Sequence, residues 1–169
     1  MIVIRSEGEG DRLGVRGINE AAFGQPAEAD LVDALRSAGA AEVSLVAEAD
    51  GQIVGHILFS PVSLAEAGKS LKISALAPLA VLPPYQRRGI GSLLVKQGLE
   101  DCRRVGVQAV VVLGHPDYYP RFGFRRASAF GLRCEFNTPD EAFMALELTP
   151  SALSGKSGTI KYHDAFKGI

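Results

Sequence analysis

A strand, a helix and a second strand follow one another between residues 71 and 113, and this order constrains the fold more than any other feature of the chain. Residues 71–82 form a long apolar run, and residues 89–105 carry apolar side chains at helical spacing. Residues 108–113 read Gln-Ala-Val-Val-Val-Leu, a continuous apolar run typical of a strand buried on both faces. Two strands joined by a helix pair in parallel through a right-handed crossover. The sequence therefore predicts an α/β fold with a parallel pair of strands.

A proline interrupts the first of these strands. Pro78 lies in the middle of the run and cannot donate a backbone hydrogen bond, so we expect the strand to bend, to bulge or to lie at an edge. Pro83 and Pro84 then end the strand.

Shorter patterns account for the remaining elements. Asp50-Gly51 between two β-type runs is a strong hairpin signal, and Gly39 follows the second helix as a terminating glycine. The other predicted bounds are 2–7, 43–49, 52–59, 142–148 and 159–166 for strands, 11–23 and 28–38 for helices, 64–70 for a polar turn and 154–158 for a flexible loop. No repeat or interdomain linker interrupts the pattern, so residues 1–169 are predicted to form one domain with a mixed sheet.

Charge and hydropathy argue against two classes of partner. The chain has 18 Lys and Arg against 19 Asp and Glu, so it lacks the basic excess of a protein that binds nucleic acid through its phosphates. No apolar run approaches the ~18–20 residues of a membrane span, and the N-terminus lacks the apolar region of a signal peptide. Two isolated cysteines, Cys102 and Cys134, predict neither a disulfide framework nor a metal site. We therefore expect a cytoplasmic protein that binds no metal.

The turn between the first strand and the helix is suited to an anion. Gly89 and Gly91 let a bulky anion approach the backbone, since no Cβ intervenes. The first N–H groups of a helix lack internal partners and carry partial positive charge, and Arg87 and Arg88 add fixed charge beside them. The third glycine of a dinucleotide fingerprint and the Gly-Lys-Ser/Thr of a nucleoside-triphosphate loop are both missing. The expected ligand group is a phosphate or pyrophosphate of another kind of molecule.

Two segments resemble motifs of one enzyme superfamily. Residues 86–91, Gln-Arg-Arg-Gly-Ile-Gly, are similar to the Gln/Arg-x-x-Gly-x-Gly/Ala signature of the GNAT N-acetyltransferases and lie between strand and helix as that signature does. Residues 118–124, Tyr-Tyr-Pro-Arg-Phe-Gly-Phe, resemble the family's Tyr-x-x-x-Gly-Phe segment. The order of elements agrees along nearly the whole chain. Residues 113–124, followed by 143–148, most resemble the subgroup of predicted bacterial acetyltransferases.

The resemblance implies a fold and a cofactor. The fold would be α/β (α+β): a single GNAT-type domain with a mixed, mostly antiparallel sheet of six to seven strands and about four flanking helices. Its parallel pair would be splayed at the site of acetyl-coenzyme A (acetyl-CoA). Leu79, Ala80 and Val81 resemble the family's fourth strand and would bond to the pantetheine arm like an added strand. The remaining cofactor-binding residues, at the pyrophosphate, would be Gln86, Arg87, Arg88, Gly89, Ile90, Gly91 and Ser92.

The resemblance also implies a reaction, the transfer of acetyl from acetyl-CoA to a primary amine of a small molecule or peptide. The amine must first lose its proton, the oxyanion needs a donor such as the Val81 N–H, and the leaving thiolate benefits from a proton donor. Tyr119 matches the family's general-acid tyrosine, whereas the adjacent Tyr118 is interpreted as a structural or substrate-pocket residue. His115 is the candidate general base, but it could equally cap the following turn, and some members of the family deprotonate the amine through water instead.

Other titratable residues carry weaker signals. Glu20 and Glu28 lie in the helical region that often lines the acceptor site of this family, although solvated helix faces carry such residues routinely. Glu147 is interpreted as structural, and His56 and His163 as ordinary strand residues.

Two other functions fit parts of the pattern. A GNAT domain can hold CoA as a sensor or partner-docking module without turnover, but the retained Tyr119 favours an enzyme. A protein that binds nucleotide phosphates for another purpose would be stabilised by ATP or NAD rather than by CoA. Residues 110–112 are all valine where some subgroups carry a glutamate, which argues against a ribosomal-protein N-terminal acetyltransferase. Exposed edge strands are compatible with a homodimer.

Overall fold

Nine β-strands and three α-helices, with short 3-10 turns between them, make up residues 1–67 and 70–168, the part of the chain that this computed structural model describes. The strands are β1 (Ile2–Ser6), β2 (Val43–Ala49), β3 (Gln52–Leu64), β4 (Ile73–Val81), β5 (Ala109–Leu113), β6 (Arg125–Arg126), β7 (Leu132–Cys134), β8 (Phe143–Glu147) and β9 (Gly158–Lys161). The helices are α1 (Arg12–Phe23), α2 (Ala27–Ser37) and α3 (Ile90–Arg104).

Seven of the strands form one mixed sheet in the order β1-β2-β3-β4-β5-β8-β6. Strands β4 and β5 are parallel and are connected through α3, whereas the other neighbours in this order are antiparallel. The two remaining strands extend the end of β3, where β9 pairs with β3 and β7 pairs with β9. The predicted mixed, mostly antiparallel sheet with one parallel pair is confirmed.

The hairpin between β2 and β3 follows from its two turn residues. Asp50 and Gly51 both have positive φ, 50° and 80°, as a two-residue hairpin turn requires. Ala49 therefore faces Gln52 directly across the turn, and the register of the two strands is set from that end.

A bulge in β4 accommodates the proline of that strand. Ile57 of β3 faces Leu79 and Phe59 faces Leu76, so Ala77 and Pro78 together oppose a single residue of β3. This arrangement is a β-bulge, one of the places where a strand tolerates a residue that cannot donate to the ladder. The predicted distortion at Pro78 is confirmed.

The parallel pair separates just beyond this bulge. Strand β4 pairs with β5 only from Ile73 to Leu76, opposite Ala109 to Val112. From Ala77 onward β4 runs without a partner on that side, while β3 still pairs with its other side. One edge of β4 is consequently open in the middle of the sheet.

The helices cover opposite faces of the sheet. Helices α1 and α2 pack their buried residues, such as Val15 and Leu35, on one face, and α3 packs Leu94 and its neighbours on the other. Along β5, Val111 belongs to the first cluster and Val110 to the second, so this strand is buried on both faces as predicted. The helices close both faces and leave the gap between β4 and β5 as the route into the sheet.

Three predictions about the C-terminal half differ from the structure. Residues 159–166 are not one strand, because β9 ends at Lys161 and a 3-10 turn covers Asp164–Gly168. His163 starts that turn: its Nδ1 accepts the Ala165 N–H at 3.0 Å, so its interpretation as a strand residue was wrong. Strands β6 and β7, of two and three residues, were not predicted, since so short a run carries no periodicity.

The predicted turn at residues 64–70 is only partly described. Strand β3 continues to Leu64 and a 3-10 turn covers Ala65–Ala67, while residues 68 and 69 lie outside the described residues. Within the described ranges, none of the helices combines the length and the apolar character needed to cross a membrane.

Candidate active site

The open edge of β4 presents backbone groups of alternate residues. The Leu82 N–H donates to the Val54 carbonyl at 2.8 Å, so Leu82 and, two residues earlier, Ala80 direct their backbone groups toward β3. Leu79 and Val81 therefore direct theirs toward the gap. The Gln86 side-chain amide already donates to the Val81 carbonyl at 2.9 Å. Among the residues that the structure describes, none bonds to the Val81 N–H or to either backbone group of Leu79.

This alternation corrects one expectation. Ala80 was expected to bond to the pantetheine arm together with Leu79 and Val81. Its backbone groups face His56 of β3, and its side chain is buried in the sheet. Ala80 holds its two neighbours in position and has no backbone group to offer a ligand in the gap.

The glycine turn at the start of α3 forms a cavity for an anion. Gly89 is the N-cap residue of α3 and has φ 83°, and no side chain caps the first turn of this helix. Arg87, two residues earlier, has φ 63°. The first helical bond runs from the Leu93 N–H to the Gly89 carbonyl, so the N–H groups of residues 90–92 have no helical partner. A cavity of about 320 Å³ opens here, lined by Val81, Tyr85, Gln86, Arg87, Gly89, Ile90, Gly91, Ser92, Tyr118 and Arg121.

Tyr118 forms one wall of this anion cavity. Its hydroxyl lies 3.1 Å from Ser92 Oγ and would lie 3.1 Å from a Cβ at Gly91. The guanidinium of Arg121 lies 4.5 Å from the centre of the Tyr118 ring, and its Nε donates to the Tyr118 carbonyl at 2.9 Å. Tyr118 thus faces the glycine turn, and its interpretation as a substrate-pocket residue is not supported.

Arg121 is the functional candidate that sequence reasoning missed. It lines the anion cavity together with Arg87, whereas the guanidinium of Arg88 lies 5.5 Å from the centre of the Tyr85 ring and Arg88 is not among the lining residues. The sequence feature that could have indicated Arg121 is its position three residues after Tyr118, because residues at this spacing lie on one face of a helical turn.

A second, larger cavity begins where β4 and β5 diverge, and we call it the acceptor cavity. Its volume is about 550 Å³. Its floor is the gap itself, made by residues 76–79 of β4 and by residues 113–115 at the end of β5. Its other walls come from Phe23, Glu28, Leu31, Tyr119, Phe136, Tyr162 and Phe166.

Tyr119 stands at the junction between the gap and this cavity. It is 7% exposed, and its ring packs edge-on against Tyr118 and Phe124, with centroids 5.1 Å and 5.7 Å away. Burial, and to a lesser extent the neighbouring Tyr118, raises the pKa of the Tyr119 phenol well above its ordinary value. The phenol is therefore protonated at neutral pH and can act as a hydrogen-bond and proton donor.

His115 and Glu28 bring proton-accepting side chains to the wall of the acceptor cavity. His115 follows β5 with an exposed side chain, and its carbonyl accepts the Tyr118 N–H at 3.1 Å, so its backbone also starts the following turn. The half-buried Glu28 accepts the Gln25 side-chain amide at 3.1 and 3.2 Å. Glu20 is absent from the lining and lies 3.7 Å from Arg16.

Two residues interpreted from sequence as structural or ordinary have defined partners away from the cavities. Glu147 accepts the Leu153 N–H at 2.8 Å, which confirms a structural role. His56 lies in β3 but is fully buried, with Nε2 3.0 Å from Ser44 Oγ and Nδ1 3.3 Å from the Asn19 amide. Ser44 donates to Glu7, so Nε2 carries the proton and Nδ1 accepts from Asn19. Burial, followed by the charge of Arg36, lowers the pKa of His56 to about 3.

In the described part of the chain, no three His, Cys, Asp or Glu side chains converge in a way that could hold a metal ion. At the gap itself, the described structure brings together the open edge of β4 and the side chains of Tyr119, His115 and Glu28.

Comparisons with known proteins agree with this geometry. The model of a family described as an acetyltransferase (GNAT) domain matches residues 3–127. In sequence, the chain is 39% identical over 166 residues to the uncharacterized N-acetyltransferase YhbS of Escherichia coli K12, and the match covers 98% of both proteins.

Two solved structures share the fold over nearly the whole chain. The first is the crystal structure of YhbS from Escherichia coli in complex with CoA, with a TM-score of 0.93 and 38% identity, covering 98% of this chain and 92% of that one. The second, a GNAT family acetyltransferase from Brucella melitensis in complex with acetyl-CoA, has a TM-score of 0.82 and 38% identity and covers 98% of each chain.

Proposed function

This chain belongs to the GNAT acetyltransferase family, and we propose that it transfers an acetyl group from acetyl-CoA to a primary amine. The observation that carries the proposal is that the open edge of β4 joins two cavities of different character. Val81 borders the anion cavity and Leu79 borders the acceptor cavity. A ligand with a phosphate at one end and a thioester at the other fits this arrangement. The CoA and acetyl-CoA complexes of the two related structures support the choice of ligand.

The cofactor would lie along the gap between β4 and β5. Residues 1–169 would form the single domain that binds it. The two amides of the pantetheine arm find partners in the Leu79 backbone groups and the Val81 N–H. The pyrophosphate lies at the start of α3, where the N–H groups of Gly89, Ile90, Gly91 and Ser92 converge beside Arg87. Gln86 supports the site indirectly, because its amide occupies the Val81 carbonyl. Arg88 contributes to the field of the site from outside the cavity wall.

The reaction would be a direct attack of the amine on the thioester. A neutral amine forms a bond to the carbonyl carbon, and the resulting oxyanion accepts the Val81 N–H. When the tetrahedral intermediate collapses, the bond between carbon and sulfur breaks and the electron pair leaves on sulfur. The Tyr119 hydroxyl gives its proton to that thiolate, since burial keeps the phenol protonated. The attacking nitrogen then loses its extra proton, which returns to the Tyr119 phenolate, so the products are the neutral amide, the CoA thiol and the restored phenol.

His115 would act as the general base. It is the imidazole in the acceptor-cavity wall, its side chain is exposed, and a neutral imidazole has a ring nitrogen that can accept a proton. It takes the proton that the substrate ammonium must lose before attack. Glu28 has the second proton-accepting side chain of this wall, so the variants His115→Gln and Glu28→Gln should be compared in the pH dependence of turnover.

The test is release of CoA thiol from acetyl-CoA in the presence of a panel of primary amines. We expect turnover with at least one amine, and we expect Tyr119→Phe to lower kcat by roughly 10²-fold or more with little change in the affinity for acetyl-CoA. Tyr118→Phe is the matched control, because its hydroxyl faces Ser92 and the anion cavity. Tight cofactor binding without turnover for any amine would favour a CoA sensor instead, and equal kcat in Tyr119→Phe would remove Tyr119 as the acid.

A further inference from the structure

The lining of the acceptor cavity points to the class of amine that the protein acetylates. We propose that the acceptor is a primary monoamine carried on an apolar body about the size of a single aromatic ring. The proposal rests on the acetyl transfer proposed above and adds the identity of the acceptor to it.

The wall is predominantly apolar. Of its fourteen lining residues, four carry a polar side-chain atom: Glu28, His115, Tyr119 and Tyr162. Tyr119 and His115 are accounted for by the proposed reaction. The carboxylate of Glu28 remains to recognise the acceptor, because the Tyr162 hydroxyl is fully buried, and the rest of the described wall is hydrocarbon and aromatic.

Part of this apolar surface faces solvent. Phe23 is 39% exposed and Leu113 is 42% exposed, although both are large hydrophobic side chains at the cavity. Scattered apolar side chains at a surface need no explanation, but a group of them around a concave site is typical of an apolar ligand. A ligand with an apolar body would cover these two side chains when it binds.

The charge of the wall matches a single ammonium. Among the described residues that line the cavity, Glu28 is the one carboxylate and no aspartate is present. A polyamine or an aminoglycoside would bring further ammonium and hydroxyl groups against Phe136, Phe166 and their neighbours, whose side chains offer no hydrogen-bond acceptor. The wall therefore selects against acceptors with several charges.

Tyr162 adds an aromatic ring to this wall. It is 8% exposed, and its ring packs between Phe136 and Phe166 with centroids 5.4 Å and 5.0 Å away. Its hydroxyl is fully buried, so a ligand in the cavity would meet the ring and not the hydroxyl. These three rings form an aromatic side of the cavity that suits an apolar body.

The size of the cavity limits the body. Small-molecule sites commonly measure roughly 300–1,000 Å³, and this cavity falls in the lower half of that range at about 550 Å³. The acetyl thioester has to share this volume, since Leu79 and Tyr119 belong to the same wall. The remaining space suits one ring and a short linker to the amine better than a peptide.

The acceptor class is tested by kinetics with a matched panel. We expect kcat/KM for 2-phenylethylamine to exceed that for spermidine, glucosamine and a lysine-containing tripeptide by about 10-fold or more, as burial of a ring predicts. If spermidine, glucosamine or the tripeptide had a higher kcat/KM than 2-phenylethylamine, the proposed apolar acceptor would be wrong, while the proposed acetyl transfer would stand. No turnover with any amine would overturn the proposed function and this inference together.

A variant at the mouth of the cavity tests the apolar contact itself. Phe23→Ser should raise KM for 2-phenylethylamine by about 10-fold, because the ring loses an apolar neighbour, with KM for acetyl-CoA unchanged. Leu13→Ser is the control, since Leu13 lies on the same helix, is 86% exposed and is outside the lining. An unchanged KM in Phe23→Ser would contradict the proposal.

Discussion

A Cβ at Gly114 would lie 2.5 Å from Cε2 of the Tyr119 ring, so the two residues are in contact in a way that only glycine permits. Gly114 immediately follows β5, and its backbone φ is not in the left-handed region that favours glycine elsewhere in the chain. The reason for glycine here is therefore space. The aromatic ring that carries the proposed general acid rests directly on the backbone at the end of β5.

Gly114→Ala should displace the Tyr119 ring and lower kcat by about 10-fold or more, because a proton donor misplaced by about 1 Å loses much of its effect. Steady-state kinetics with saturating acetyl-CoA would measure this. Gly17→Ala is the control, since a Cβ at Gly17 meets nothing within 4 Å. If Gly114→Ala retained full kcat, the position of the ring would not govern the reaction.

Gly91→Glu should abolish binding of CoA. Its side chain would start 3.1 Å from the Tyr118 hydroxyl and would bring a negative charge to the start of α3, where the pyrophosphate is proposed to lie. Isothermal titration with CoA measures the loss, with Gly17→Glu as the matched control in open space. Retained affinity in Gly91→Glu would place the pyrophosphate elsewhere.

Arg121→Gln should weaken CoA binding by about 10-fold, and the loss should shrink as salt is added, because the interaction between a guanidinium and a phosphate is screened. Arg125→Gln provides the comparison: its guanidinium lies 5.4 Å from the Phe130 ring centre and outside the anion cavity. Affinities measured at two salt concentrations distinguish the two variants. Equal affinities in both would assign Arg121 to packing on Tyr118 alone.

The buried His56 should make stability depend on pH. Its folded pKa of about 3 lies below the ordinary value of 6.5, so from about pH 6.5 downward the unfolded chain binds a proton that the folded chain excludes. The free energy of unfolding should therefore fall with falling pH, by up to about 1.4 kcal/mol per pH unit from this group, and be unaffected by it above pH 6.5. Asn19, Ser44, Glu7 and Arg36 are the polar groups that surround it.

Urea unfolding between pH 7 and pH 5 measures this dependence, and the ring proton signals of His56 provide the direct check. We expect those signals to stay in their neutral position down to pH 5 in the folded protein. Titration of His56 near pH 6.5 in the folded state would contradict the buried neutral imidazole.

Local signals account for the parts of the fold that sequence predicted. Asp50-Gly51 carries the positive φ angles of its turn within two residues, and Pro78 cannot take part in a ladder wherever it lies. Each of these effects depends on neighbours in the chain. Where the local signal was short or ambiguous, as in residues 159–166, the prediction failed: β9 ends at Lys161, the last of its residues that pairs with β3.

The site was predicted in part for the same reason. Gly89 and Gly91 lie in the turn at the start of α3. This turn is formed by consecutive residues, so the sequence alone predicts it. Which of the two adjacent tyrosines faces that turn depends on the fold of residues 118–122. In the structure, Tyr118 contacts Ser92, while Tyr119 packs on Gly114.

By itself, therefore, the sequence determined the strand, glycine turn and helix whose backbone can bind an anion, because turn and helix-start chemistry lies within a few consecutive residues. Only the tertiary structure decided which backbone groups of β4 are open, since that depends on where β5 separates from it. It also decided the walls of the acceptor cavity, which come from α1, α2, the turn after β5 and the C-terminal segment. Contacts between segments so distant in the chain follow from the packing of the whole sheet, and no local pattern encodes them.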